Sequence, residues 1–264
     1  MTINAAAHTT PTLEKMGFMT DESSMFEGRG YTGTAQERRL RNPVTNPTSV
    51  LSGPAPRPTP ITLTGQSVDV VPLDPGRHGN ALFDGTRGHD ELWAYLFEGP
   101  FADRASFETS LRKMAASQDP LYYAIIDRAS GVAVGRAALM RIEPSHRVIE
   151  VGSILFTPRL QRTRGATEAM YLMARYVFDD LGYRRYEWKC NALNEPSRVA
   201  ALRLGFTFEG IFRQHMIIKG TSRDTAWYSM IDTEWPARKA RFEAWLAPEN
   251  FDASGRQRSA LSHS

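Results

Sequence analysis

Glu150-Val-Gly-Ser-Ile-Leu-Phe-Thr-Pro-Arg-Leu-Gln161-Arg162-Thr163-Arg164-Gly165-Ala166-Thr167-Glu168-Ala169 is where a strand-like run passes into a helix. On its N-terminal side, Val148–Phe156 reads as a strand. On its C-terminal side an amphipathic helix runs from about Ala166 to Leu181, with Met170, Met173, Ala174, Val177 and Leu181 on one face and Gly182 closing its end. A strand, a turn of small residues and a helix start together form an anion site. The free backbone N–H groups and the positive helix end can hold a pyrophosphate, and small residues let it come close. Arg162 and Arg164 would add charge. Taken by itself, such a turn is more often a tight connection carrying solvated arginines.

Working outward, Leu121–Asp127, Val132–Ile142 and Val148–Phe156 are strand-like runs joined by Ser130-Gly131 and Glu143-Pro144-Ser145, which predicts an antiparallel meander. Before it, a first strand begins at Val68. Two helices follow, a short aromatic one over Asp90–Phe97 and one behind Asp103 as N-cap, with Phe107, Leu111 and Met114 on one face. After the long helix come a strand over Arg185–Asn191 and a helix from Pro196 to Leu204. Strands Phe206–Ile218 and Thr225–Ile231 then bracket a Lys219–Asp224 loop, and Pro236 opens a terminal helix with Phe242, Trp245 and Leu246. This order mixes hairpins with βαβ-like crossovers. It predicts an α+β fold, a mixed and mostly antiparallel twisted sheet of about seven strands flanked by helices.

The 264 residues suit one medium domain with extensions. Residues 1–66, rich in Pro, Gly, Thr and Ser, read as an extended N-terminal extension without a core of its own. Residues 67–247 read as the folded domain and 248–264 as a disordered tail. The basic run Glu37–Arg41 reads as a solvated charge run. No apolar run approaches the roughly 18 residues that cross a bilayer, and the N-terminus lacks a charged head before an apolar stretch, so a soluble cytoplasmic protein is expected. Cys190 is the only cysteine, which rules out an internal disulfide. The six histidines are scattered without ligand spacing, so no metal is expected. The formal net charge of +3 is too mild and too mixed in sign to indicate nucleic acid.

The Gln161–Ala166 element resembles the acetyl-CoA-binding signature of the GNAT superfamily of N-acetyltransferases, Gln/Arg-x-x-Gly-x-Gly/Ala at the start of the central helix. Gln161, Arg164 and Ala166 take its positions, with Arg164 where glycine is usual. An alternative register, Arg162, Gly165 and Thr167, restores the glycine and loses the alanine. Ala166-Thr167-Glu168-Ala169 is similar to the helix start of the RimJ/RimL-type branch. So is the downstream segment Asn194-x-x-Ser197, Gly205-Phe206, Glu209-Gly210. The resemblance covers roughly Val68 to Ile231. It implies acetyl-CoA as cosubstrate, an amine acceptor, a coenzyme contact set of Leu155, Gln161, Arg162, Arg164, Gly165, Ala166, Thr167, Asn194 and Ser197, and possible homodimers.

Attack of an amine on a thioester needs a neutral amine, donors for the oxyanion and a proton for the leaving thiolate. The resemblance assigns the oxyanion donors to backbone N–H groups of the Gly152–Leu155 region. Glu150, in the same strand, is the candidate base, with a carboxylate on a strand's solvent face as the alternative reading. Relatives that place a tyrosine before Gly-Phe use it as the acid. Here Ala201-Leu202-Arg203-Leu204 stands there, and Ser197 is the substitute candidate, unless it and Asn194 only cap a helix. Cys190 has no partner histidine in sequence, which favours direct transfer over an acyl-enzyme. His215, Trp188, Trp227 and Tyr228 are candidate acceptor-pocket residues or core, and acidic surface near Lys219–Asp224 would favour cationic amines. Two further function classes stay open: a catalytically silent acyl-CoA-binding module, motivated by Arg164 and the missing tyrosine, and a nucleic-acid binder.

Overall fold

A computed structural model describes residues 53–261, which fall within one compact unit, Thr45–Ser264. The Glu37–Arg41 run lies outside the described residues. Eight strands form one sheet in the order β1-β2-β3-β4-β5-β6-β8-β7. They are β1 (Leu63–Thr64), β2 (Val68–Pro72), β3 (Leu121–Asp127), β4 (Val132–Glu143), β5 (Val148–Phe156), β6 (Arg185–Asn191), β7 (Thr207–Ile218) and β8 (Thr221–Ile231). Every neighbouring pair is antiparallel except β5 and β6. The meander and the mixed α+β architecture are as the alternation predicts. The eighth strand is the two-residue β1, too short to leave a periodic signature.

Five α-helices flank the sheet: α1 (Pro75–Thr86), α2 (Arg104–Ala115), α3 (Arg164–Arg175, continued by a π-turn over Tyr176–Asp180), α4 (Glu195–Arg203) and α5 (Trp235–Leu246). The sequence reading misses α1. Its signal is the pair Asp74-Pro75, with Asp74 accepting from the N–H groups of Gly76 and Arg77 and proline in the first turn, but Gly76, Gly79 and Gly85 hide it. The expected aromatic helix over Asp90–Phe97 is a 3-10 turn over Asp90–Trp93 only. The Lys219–Asp224 loop is likewise shorter than expected: β8 begins at Thr221, and Lys219 and Gly220, both at positive φ, make a two-residue hairpin turn.

One face of the sheet packs on α3, α4 and α5. Ile149, Val151, Tyr186, Trp188, Tyr228 and Met230 meet Ala169, Met173 and Val177 there. The opposite face of β2–β4 is covered by α1 and α2, through Leu82, Trp93, Phe107 and Leu111 against Ala124, Ala133 and Leu155. Packing crosses both expected domain boundaries. Ala55 and Leu63 are buried, and Glu168 accepts from the N–H groups of Gln66, Ser67 and Val68, so residues 53–66 belong to the fold. In the assumed tail, Trp245 Nε1 donates to Gln257, Phe251 bridges Gln257, and Leu261 is buried. Among the described residues no helix is long and apolar enough to cross a membrane.

Candidate active site

The parallel pair β5–β6 is short. It runs from Val148↔Arg185 to Val151↔Trp188 and stops, while β5 continues to Phe156 and β6 to Asn191. Beyond Val151 the β6-facing backbone groups of β5 therefore have no strand partner. At the same point β5 bulges against β4: the register jumps from Ala138↔Gly152 to Arg136↔Leu155, and Ser153 takes φ 49°. Arg136, fully buried, donates from Nη1 to the Ser153 carbonyl (2.8 Å) and hydroxyl (2.6 Å) and from Nη2 to Glu98. Gly152 is required here, since a Cβ would stand 2.5 Å from Met140 Sδ. A strand splay held open by a bulge and a buried arginine thus lies in the Gly152–Leu155 region. Arg136 and Glu98 carry no short-range motif, which is why the sequence does not single them out.

From Phe156 the chain turns into α3. The Thr157 carbonyl accepts from the N–H groups of Leu160 and Gln161, Arg162 takes the left-handed conformation (φ 60°), and Thr163 caps the helix by accepting from the Ala166 N–H. A helical turn followed by a left-handed residue and a helix N-terminus directs successive N–H groups to one side, the geometry of an anion nest. The left-handed residue is Arg162, so neither sequence register puts a glycine where φ is positive. Gly165 is instead a close-approach residue, because a Cβ there would lie 2.8 Å from Val68 Cγ1.

Other proposed contact residues are placed differently. Arg164 turns away from the loop, donating to Gln66 Oε1 and the Leu246 carbonyl with its guanidinium over the Phe251 ring. Thr167 is buried and accepts from Arg203 Nη1 at 3.0 Å. Leu155 points its side chain into the α1–α2 core. Gln161 and Arg162 are exposed at the turn, where Gln161 Nε2 donates to the Phe156 carbonyl. Ala166 N–H is already taken by the cap. The side chains of Arg164, Leu155 and Thr167 are thus engaged within the protein, and the exposed part of the loop is its backbone with Gln161 and Arg162.

On the α4 side of the splay, Asn194 caps the helix by accepting the Ser197 N–H at 3.2 Å. Ser197 Oγ accepts from Trp188 Nε1 at 3.0 Å. Burial pushes the Cys190 thiol up, against the smaller lowering effect of the neighbouring Ser197 hydroxyl. A buried thiol held protonated is a poor nucleophile.

The other face of β6 and β8 carries charge. Glu150, Glu187 and Lys189 share it with Trp227 and Ser229, as their cross-strand pairing requires. Glu150, 3% exposed, is held through Oε2 by Arg141 (2.6 Å) and Lys189 (3.0 Å), and Lys189 also meets Glu187 (2.6 Å). Arg185 continues the chain from Glu187 to Glu209, which Ser229 also contacts. Glu150 is thus not on a solvent face. Its Oε1, which makes no hydrogen bond among the described residues, lies beside Gly152 at the splay, 3.3 Å from where a Cβ on Gly152 would stand.

Trp227 and His215 do come together here. Phe212 stacks on Trp227 at 4.4 Å between centroids, Lys189 Nζ sits 3.8 Å over the same indole, and His215 Nδ1 pairs with Thr225 Oγ1 at 3.0 Å. Trp188 and Tyr228 do not: both are in the helix-side core. Near the Lys219–Asp224 hairpin, Asp224 accepts from the Gln214 N–H, and the cations on this face include Arg141, Lys189 and Arg223. The Trp93–Glu98 loop roofs this face. The Trp93 carbonyl accepts from Lys219, Tyr95 donates to the Leu193 carbonyl, Phe97 lies under Arg223, and Glu98 holds Arg136. Arg223, hidden in the assumed loop, was findable. Thr221, Arg223, Thr225, Trp227 and Ser229 alternate with Ser222, Asp224, Ala226, Tyr228 and Met230, and extending that period back places it beside Trp227.

Known proteins share this fold. The family model described as acetyltransferase (GNAT) domain matches residues 71–207. The crystal structure of a GCN5-related N-acetyltransferase from Brucella melitensis superposes with a TM-score of 0.78 at 52% identity, over 79% of this chain and 95% of that one. A probable GNAT-family acetyltransferase from Chromobacterium violaceum gives 0.69 at 40% identity, over 74% and 98%. The uncharacterized N-acetyltransferase YoaA of Bacillus subtilis is 32% identical over 98 residues, 37% of this chain, which spans about half (55%) of that relative's length.

Proposed function

From the premise that this chain belongs to the GNAT acetyltransferase family, we propose that it moves the acetyl group of acetyl-CoA directly to an amine that enters from the β6–β8 face. The observation that carries this reading is the coincidence of the β5–β6 splay with the start of α3. The coenzyme pyrophosphate would be held by backbone N–H groups at Arg162–Gly165 and its thioester end would pass through the splay.

The unpaired backbone N–H groups of β5 after Val151 would donate to the thioester oxygen as it becomes an oxyanion, with Arg136 and the bulge at Ser153 fixing their direction. Glu150 would take the amine proton through Oε1, directly or across a water, while Arg141 and Lys189 hold Oε2 in place. The Ser197 hydroxyl, oriented by Trp188, would return a proton to the departing sulfur. The high thiol pKa of Cys190 supports direct transfer.

The test is release of free coenzyme thiol from acetyl-CoA over a panel of amines and N-terminal peptides, with Glu150→Gln in parallel. Acceptor-dependent release that falls about 100-fold in the variant is expected. Coenzyme binding without release on any acceptor would return the silent acyl-CoA-binding module instead.

A further inference from the structure

Among the described residues, Arg223 is a buried cation on the acceptor face that makes no ion pair with a carboxylate. Arg141 and Lys189 share Glu150, Lys189 and Arg185 share Glu187, Arg185 also holds Glu209, and Arg136 has Glu98. Arg223 is 7% exposed, and among the described residues its guanidinium has no hydrogen bond and no carboxylate. Its neighbour Asp224 is committed to Gln214. Its guanidinium lies over the Phe97 ring at 5.6 Å.

A buried guanidinium stripped of water and given no counter-charge is costly, and folds normally pair it. Around the splay, the cations Arg141, Lys189, Arg185 and Arg223 stand against the carboxylates Glu150, Glu187 and Glu209. One positive charge is left over, and it is that of Arg223. The residue lies on the same face of β8 as Thr225 and Trp227, under the Trp93–Glu98 roof, close enough to Glu150 and Cys190 for its charge to act on both.

We infer that Arg223 is the specificity-determining residue for the acceptor and that the acceptor is an amine bearing a carboxylate, which the Arg223 guanidinium pairs while the amine is presented at the Gly152 splay. This rests on the acetyl-transfer reading above and narrows it. The fork of the guanidinium matches a planar carboxylate in two parallel hydrogen bonds. One surplus positive charge is balanced by one carboxylate, whereas a phosphate would leave a second negative charge in the roofed cleft without a partner. The same surplus works against polycationic amines, which would add charge to a cleft already positive.

The experiment compares kcat/KM for matched acceptors with acetyl-CoA held constant. The pairs are alanine against alaninamide, and an amidated tetrapeptide with aspartate at its second position against its asparagine counterpart. Spermidine and phosphoethanolamine serve as cationic and phosphate-bearing controls. A preference of about tenfold or more for the carboxylate member of at least one pair is expected, and which pair responds identifies the source as a free amino acid or an acidic N-terminus. Arg223→Gln should abolish the preference mainly through KM, Arg223→Lys should keep part of it, and the KM for acetyl-CoA should stay within about twofold. Equal rates within both pairs, a preference for spermidine or phosphoethanolamine, or a loss confined to coenzyme affinity in Arg223→Gln would overturn the inference. Binding of N-acetylalanine to the coenzyme A-loaded protein, followed by Trp227 fluorescence and calorimetry, gives a readout independent of turnover. If no acceptor turns over, the acetyl-transfer reading falls, and loss or retention of this binding in Arg223→Gln still decides the role of Arg223.

Discussion

His215 shows how residue chemistry on the acceptor face departs from the ordinary. Its imidazole packs beside the stacked pair of Phe212 and Trp227 and bonds Thr225. Partial burial is the first cause that holds its pKa below the usual 6.5, and Arg141, Arg223 and Lys189 add to it against the opposing charge of Glu150. The sign follows directly: cations nearby disfavour the imidazolium, so the ring is neutral at pH 7 and takes up a proton only on the acid side. An NMR titration should put its midpoint below 6.5, and Arg141→Gln should move the midpoint upward. A midpoint above 6.5, or no response to Arg141→Gln, would contradict this placement. Glu150 illustrates the limit of reading a residue alone. Its type and strand suggest a base, but only the ion pairs on Oε2 and the free Oε1 beside Gly152 say which oxygen is available.

At the scale of elements, α3 is held by a contact that no helix pattern predicts. Glu168 lies one turn into the helix, buried, and its two oxygens accept from three successive backbone N–H groups of the β1–β2 turn. The Ala166-Thr167-Glu168-Ala169 signature therefore reads as a clamp: Thr167 takes Arg203 of α4 and Glu168 takes β2. Gly165 closes the same seam by letting Val68 approach. Glu168→Gln should lower unfolding stability by about 2 kcal/mol, since the charge is lost and the amide offers one acceptor where the carboxylate offers two. Denaturant unfolding measures this, and a change below about 0.5 kcal/mol would remove Glu168 from the account of how α3 is positioned.

Across the whole molecule, the two halves of the sheet are joined at β5–β6 by only four residue pairs, and the chain of ion pairs from Arg141 to Glu209 spans that seam. Lys189 is its centre, 5% exposed at the side chain and shared by two carboxylates. Removing one partner from a buried pair leaves charge uncompensated, so Lys189→Met should destabilise the fold by about 3 kcal/mol. Adding Glu187→Gln to it should recover part of the loss, because the two sites are coupled. Thermal unfolding of the single and double variants checks both signs. Additive losses would mean that the network does not hold the seam together.

Local sequence pattern was enough for the strands β2 to β8, the helices α2 to α5 and with them the fold, but not for α1 or the two-residue β1. Alternation in β3 to β5, the amphipathic period of α3 with Gly182 at its end, and the capping residues Asp103 and Asn194 are local, and local patterns survive without knowledge of partners. The tertiary structure alone decided the rest: that Arg164 meets Gln66 and Thr167 meets Arg203, that Trp188 and Tyr228 are core while Trp227 and His215 face the cleft, and that Arg223 has no ion pair among the described residues. These depend on which residues distant in sequence fill a side chain's hydrogen-bonding and charge requirements. A sequence fixes the supply of such groups along the chain, but only the folded sheet determines which of them meet.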